Sequence, residues 1–279
     1  EIGSGLVGSE MCIRDSFMRI LAIGDVVGNI GCRFLRQRLP ALKKLKGVDL
    51  VIANGENSAD GNGVTPISAD FLFSSGVDVI TTGNHSFRRR EIYPYYDDAP
   101  YILRPANFPE KTTPGNGTLI YDMGRVQVCV INLMGCVFLE NLKDPYETID
   151  EILKRNTAKI TILDFHAEAT AEKLAMGYYL DGRISAMFGT HTHVQTADEC
   201  IFENGMGYIT DVGMTGPIKS VLGVKPELAI KKQREKLPVR FETADGDCKM
   251  DCILFQIDEK SGKTINIERI EIRLSLIHI

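Results

Sequence analysis

Tryptophan is absent from the 279-residue chain, and histidine occurs only five times. No stretch approaches the roughly 18 consecutive apolar residues that read as a membrane-spanning helix, which excludes such a span. A basic excess is lacking too. Lys and Arg number 32 against 37 Asp and Glu, for a formal charge of −5 and a pI near 5.6. That balance argues against a duplex-DNA binder that works by neutralising phosphates. Cys12, Cys32, Cys129, Cys136, Cys200, Cys248 and Cys252 form no C-x-x-C pair, so a zinc ribbon or dithiol motif is disfavoured. A secretory signal would need a basic start and an apolar run of about 7–15 residues, and neither is found. The thiols therefore read as reduced, in a cytosolic protein.

What is present is a globular composition: 44% of residues are hydrophobic and 25% are charged. Such a length holds one large domain or two small ones, with enough apolar material to fold without staples. Residues 1–17 show no periodicity. The runs GLVGSEMCIRDS and LSLIHI resemble read-through flanks, so Met18 is the expected start, with 1–17 and 274–279 non-native or disordered. Between them, 18–273 is expected to form a single domain.

Short β-rich runs alternate with amphipathic segments. Strands are expected at Arg19–Ile23, Asp49–Ala53, Val77–Thr81, Lys159–Phe165 and Ile184–Phe188, with a helix through Phe34, Leu35, Leu39, Leu42 and Leu45. Hairpins are expected where Thr118–Tyr121 meets Val126–Leu133, Cys200–Phe202 meets Tyr208–Thr210, and Cys252–Ile257 meets Ile265–Ile272. Strand–loop–helix alternation with added hairpins is α/β grammar: two packed sheets covered by helices.

Polar clusters follow the strands: Asp25, Glu56-Asn57, Asn84-His85, His166 and His191-x-His193. Loops at the carboxyl ends of strands are where α/β folds bind ligands. All four histidines outside the tail fall in this set. Imidazole nitrogen mixed with carboxylate and amide oxygen suits Mn, Fe or Zn rather than Ca or Mg. So many donors exceed one tetrahedral ion and match two ions about 3.5–4 Å apart, the arrangement used in phosphate chemistry. Glu56, with two oxygens, is placed to bridge. An extended backbone through His191-x-His193 would send both imidazoles to one side.

The ordered string GDVVG, NGEN, GNH, DFHAEAT and GTHTH, with RPANFP at Arg104–Pro109 and ITDVGMTGP at Ile209–Pro217, resembles the YmdB-type branch of the calcineurin-like metallophosphoesterases. The resemblance spans 18–273. It implies a four-layer α/β/β/α sandwich of two mixed sheets flanked by helices. It departs from the wider superfamily at Asp25-Val26-Val27, where Asp-x-His is usual, and at Gly55-Glu56-Asn57, where Gly-Asp is usual. Carried over by residue, it implies that Asp25, Asn57 and His193 hold one ion and Asn84, His166 and His191 the other. Glu56 would bridge, and His85 would donate the proton. The implied cofactors are two divalent ions, iron or manganese first and zinc as the alternative. Two such ions with two carboxylates and a bridging hydroxide leave a net positive site that attracts a phosphodiester. The implied substrates are small phosphodiesters, 2′,3′-cyclic nucleotides among them; a phosphomonoesterase, or a regulatory or RNA-linked protein with a weakly active site, is the alternative. A homo-oligomer is compatible with either.

Singly, these residues have plainer uses. Asp25 could cap a helix, Asn57 could serve a turn, His166 could be a core histidine, and Glu168 could cap the next helix. The Gly24, Gly28, Gly31 spacing does not fit a dinucleotide fingerprint, and His166-x-Glu168 lacks the cysteine pair of zinc deaminases. Asp211–Gly216 could offer backbone N–H groups to phosphate or merely shape a pocket. Arg88-Arg89-Arg90 could steer phosphate or be a solvated helix start.

Overall fold

The computed structural model describes residues 17–273. The expectations for residues 1–16 and 274–279, including Cys12 and His278, lie outside the described residues. Two sheets form the centre. The first takes β1 (Phe17–Ile23), β2 (Asp25–Val26), β3 (Leu50–Asn54), β4 (Val79–Thr81), β11 (Met214–Pro217), β12 (Cys248–Asp258) and β13 (Thr264–Arg273), ordered β2-β11-β12-β1-β3-β4 with β13 on β12. The second runs β5-β6-β7-β8-β10-β9, from β5 (Thr118–Asp122), β6 (Gln127–Met134), β7 (Ile160–His166), β8 (Ala186–Thr190), β10 (Gly207–Ile209) and β9 (Cys200–Ile201). Both are mixed.

Side-chain alternation along each strand makes the layers. On β1, Met18, Ile20 and Ala22 face the second sheet, where Val128, Val130, Ile160, Ile162 and Phe188 meet them. Leu21 and Ile23 point the other way, onto Leu35, Leu39 and Leu42 of α1 (Gly28–Lys46) and Leu72 of α2 (Pro66–Ser74). On the outer face of the second sheet, Ile131, Leu163, Phe165 and Met187 pack on Ile149 of α4 (Pro145–Arg155) and on Met176 and Leu180 of α5 (Thr170–Leu180). The short α3 (Ile92–Asp98) completes the cover of the first sheet through Ile92 and Tyr96. This is the α/β/β/α sandwich.

The three expected hairpins are present, as the antiparallel pairs β5–β6, β9–β10 and β12–β13. Boundaries moved where backbone partners dictated. Phe17, assigned to the flank by its lack of pattern, is in β1 because β12 runs on to Asp258 and pairs with it. Val77 belongs to the turn after α2, its N–H donating to the Leu72 carbonyl, so β4 starts at Val79. β7 and β8 extend to His166 and Thr190, which pair with each other. The helix begins at Gly28, well before Phe34, and Leu45 is 79% exposed. At about 100° per residue, three residues past Leu42 carries Leu45 to the flank of the buried stripe. Gly47 ends α1 with φ 61, a left-handed cap that suits glycine.

Strands β1, β3 and β4 are mutually parallel, as are β6, β7, β8 and β10. Their carboxyl ends open onto one region between the sheets. The polar clusters meet there.

Candidate metal centre

His166 is the best-defined member. As the last residue of β7, it is fully buried. Its Nε2 is met by Asn84 Oδ1 at 2.9 Å, His191 Nδ1 at 3.0 Å and Glu56 Oε1 at 3.3 Å. Its Nδ1 lies 2.9 Å from Thr190 Oγ1, which donates at 2.7 Å to Asp164. Asp164 also accepts from Thr81 (2.5 Å) and Asn54 (3.2 Å). Gly83 is required beside this ring, because a Cβ there would collide with the His166 imidazole.

The second group surrounds Asp25. His193 Nε2 lies 3.5 Å from Asp25 Oδ1, and Asn57 Nδ2 approaches Asp25 Oδ1 at 3.4 Å and His193 Nε2 at 3.2 Å. Glu56 Oε1 stands between the groups, 3.3 Å from His166 Nε2 and 3.4 Å from Asn57 Nδ2. Only this oxygen is shared. Oε2 accepts the His85 backbone N–H at 2.9 Å, so of the two oxygens the sequence offered only Oε1 faces both groups. His85 Nδ1 contacts Asn57 Oδ1 at 2.7 Å, while its Nε2 has no partner among the described residues. Asn57 therefore turns its oxygen to His85 and its nitrogen to the cluster.

The backbone of His191-x-His193 is not extended. His191 has φ 100 and His193 φ 63, because β8 stops at Thr190 and the loop is pinned by carboxylates. Asp25 Oδ2 accepts the His191 N–H and Asp211 Oδ2 the Thr192 N–H, both at 3.0 Å. The Leu222 carbonyl accepts from His193 Nδ1, leaving Nε2 toward the cluster. Positive φ is uncommon for histidine and collects at functional sites.

Charge explains the titrations. Burial pushes the Asp25 carboxyl up, but His193, His166 and the His191 N–H outweigh it and hold the group well below its ordinary value. For His166, burial disfavours the charge, yet Glu56, Asp25 and Asp164 raise it to about 9. Burial raises Asp164 to about 7. His85 is lowered by burial, with Arg88 and His166 adding to the effect and Glu56 opposing it. His191 is lowered by burial and by His166.

Donor chemistry fits divalent ions. Around His166 Nε2 converge a carboxylate oxygen, an amide oxygen and a second imidazole nitrogen, and one proton cannot serve all of those lone pairs. Glu56, His166 and His191 offer atoms within 4.8 Å of one another. A borderline cation satisfies such a set. His191 Nε2 meets Glu168 at 2.8 Å. The N-cap of α5 is Ala169, with no side-chain cap bond, so Glu168 orients a histidine instead of capping.

One residue here has no sequence signal. Lys173, fully buried on α5, donates to the Thr190 carbonyl and to Asp211, each at 2.8 Å. Asp211 in turn takes the Thr192 and Gly213 N–H groups. The glycine-rich Asp211–Gly216 run thus spends its N–H groups inside the protein: Val212 on Gly189, Met214 on Asp251. It shapes the pocket, and its second half is β11, parallel to β2. Of the three arginines, Arg89 is tied to the Asn62 and Ala59 carbonyls, while Arg88 and Arg90 are exposed.

A four-layer sandwich with a His/Asp/Asn/Glu cluster at its strand ends is a metallophosphoesterase-like protein. The structure matches a phosphatase of Mycoplasma pneumoniae with a TM-score of 0.88 at 32% identity, covering 92% of this chain and 94% of that one. A Staphylococcus aureus protein described as a 5′-nucleotidase shares the fold at a TM-score of 0.60 and 16% identity, covering 95% of this chain and 56% of that one. In sequence, the chain is 48% identical over 256 residues to the 2′,3′-cyclic-nucleotide 2′-phosphodiesterase of Bacillus subtilis, covering 91% of this chain and 96% of that protein. The model of the YmdB-like protein family matches residues 21–270, and the chain belongs to that family.

Proposed function

We propose that the chain is a dinuclear-metal phosphodiesterase acting on small phosphodiesters, 2′,3′-cyclic nucleotides foremost, as one domain over 18–273. The observation that carries this is Glu56 Oε1 standing between two donor groups beside a histidine with a free Nε2. Asp25, His193 and Asn57 would hold one ion, Asn84, His166 and His191 the other, with Glu56 shared. Bound divalent ions supply a nucleophile at neutral pH and offset phosphoryl charge.

The chain's own residues do the rest. Protonated His85 gives its Nε2 proton to the departing ribose oxygen. Asn57 can orient this ring or hold an ion, since it has one oxygen for both; with its amide turned to an ion, His85 keeps Glu56 through its backbone N–H (2.9 Å) and Nδ1 (3.4 Å). Glu168 and the Leu222 carbonyl fix the rings of His191 and His193. Manganese or iron would suit this donor set, with zinc the alternative. All described cysteines are free, which supports a reducing compartment such as the cytoplasm. No helix among the described residues is long and apolar enough to cross a membrane.

Turnover of 2′,3′-cyclic AMP with Mn²⁺ should fall about 10²–10⁴-fold in His85→Ala, with metal content unchanged. A p-nitrophenyl diester, whose leaving group needs no proton, should lose less. An unchanged rate on the cyclic nucleotide contradicts the acid role; hydrolysis of monoesters alone would favour a phosphomonoesterase.

A further inference from the structure

Away from the metal centre, a cavity of about 670 Å³ opens on the outer flank of the second sheet, between α4 and the loop that follows Arg104. It shares no lining residue with the metal cluster. Arg104 lines it while only 3% exposed. The guanidinium donates from Nε to the Pro114 carbonyl and from Nη1 to the Pro105 carbonyl, and Nη2 has no partner among the described residues. No carboxylate lies within 4.0 Å of it among those residues. Glu110, exposed, also lines the cavity, and its charge favours the guanidinium without touching it. A buried guanidinium without a contacting counter-ion is costly, and burial lowers its pKa with Glu110 opposing.

More cationic and polar groups face the same space. Arg155 lines the cavity and has no carboxylate partner among the described residues, while Lys143 is paired with Glu151 at 2.6 Å. Asn116 and Asn141, both exposed, also line it and leave their side-chain amides free of protein hydrogen bonds among the described residues. Phe108 and Ile120 add apolar walls, and Ile120 is 44% exposed. The volume lies within the 300–1,000 Å³ or so usual for small-molecule sites, which pair apolar walls with a few convergent polar groups. A guanidinium fork with a spare donor matches a phosphate oxyanion. Free amides that donate and accept suit a base or ribose edge.

We propose that this cavity is a second ligand site, separate from the metal centre, which binds a nucleotide-sized phosphomonoester with its phosphate on Arg104. The site does not depend on the reaction assigned to the metal cluster. Equilibrium dialysis of adenosine 3′-monophosphate against the metal-loaded full chain should give one equivalent at this cavity, besides any held by the metal centre. Ile120→Trp, which fills the cavity wall from an exposed position, should remove one equivalent and leave turnover of the metal site unchanged. Arg104→Gln should weaken that same equivalent about ten-fold or more, the worth of a charge-assisted hydrogen bond. Inorganic phosphate should compete for it, and adenosine should not. A binding count that Ile120→Trp leaves unchanged overturns the proposal, as does an equivalent in this cavity that adenosine displaces as well as phosphate does.

Discussion

His166 ends a strand that pairs on both sides up to its last residue, and its Nε2 is ringed at 2.9–3.3 Å by the groups that would share an ion with it. His193, which would be the corresponding ligand of the other set, sits on a loop with φ 63, and its neighbours stand off at 3.2–3.5 Å. Within that looser set, Asn57 still turns its oxygen away, toward His85. One half of the centre is therefore framed by sheet hydrogen bonds. The other hangs on carboxylates, Asp25 and Asp211, that hold a strained loop. The strand-framed half should bind its ion more tightly, and the loop half should exchange.

Glu56 belongs to both halves, so its loss should erase the difference. Glu56→Ala is expected to reduce both metals and to lower turnover by about 10³-fold or more, beyond the cost of one electrostatic group. Metal analysis beside the rate checks this; retention of either ion at parent occupancy would refute the shared role.

Lys173→Met loosens the loop that carries His193. Removing one partner of the fully buried Lys173–Asp211 pair should cost about 3–5 kcal/mol by denaturant titration. Because Asp211 also holds the Thr192 N–H, the variant should weaken the ion of the Asp25 set more than that of the His166 set, which His166 and Asn84 still hold. Equal loss of both would break the distinction.

The smallest effect is in protons. In protein stripped of metal by a chelator, the His166 value of about 9 means a proton occupies the strand-framed half at neutral pH. That raised value stabilises the metal-free fold below the ordinary histidine pKa of about 6.5, and the contribution fades as pH rises through about 9. Binding of an ion there must expel the proton, so affinity should climb with pH up to about 9, with nearly one proton released per ion. Calorimetry in buffers of differing ionisation enthalpy measures that release. Binding at pH 7 that releases no proton would place the ion elsewhere.

The strand-framed half was the more legible of the two. Asn84, His166 and His191 follow apolar β-runs, and such runs announce both the strand and its polar end. The framework beneath them was silent. Asp164 reads as one polar residue in a strand, and Lys173 as an ordinary helix lysine, because only tertiary packing shows that each is buried. In the loop after β8 the pair His191-x-His193 is visible in the sequence, but the local expectation there is an extended backbone. Its left-handed turns arise from long-range bonds to Asp25, Asp211 and Leu222, which no local pattern encodes. The same holds for β2 and β11, short segments far apart in sequence: β2 becomes a strand only by lying beside β11, and β11 by lying between β2 and β12.

Whether two ions share Glu56 is settled by anomalous diffraction from crystals of the manganese-loaded protein. Two peaks about 3.5–4 Å apart are expected, one beside His166 and His191 and one beside Asp25 and His193, with Glu56 Oε1 between them. A single peak, or peaks that leave Glu56 unliganded, would contradict that sharing.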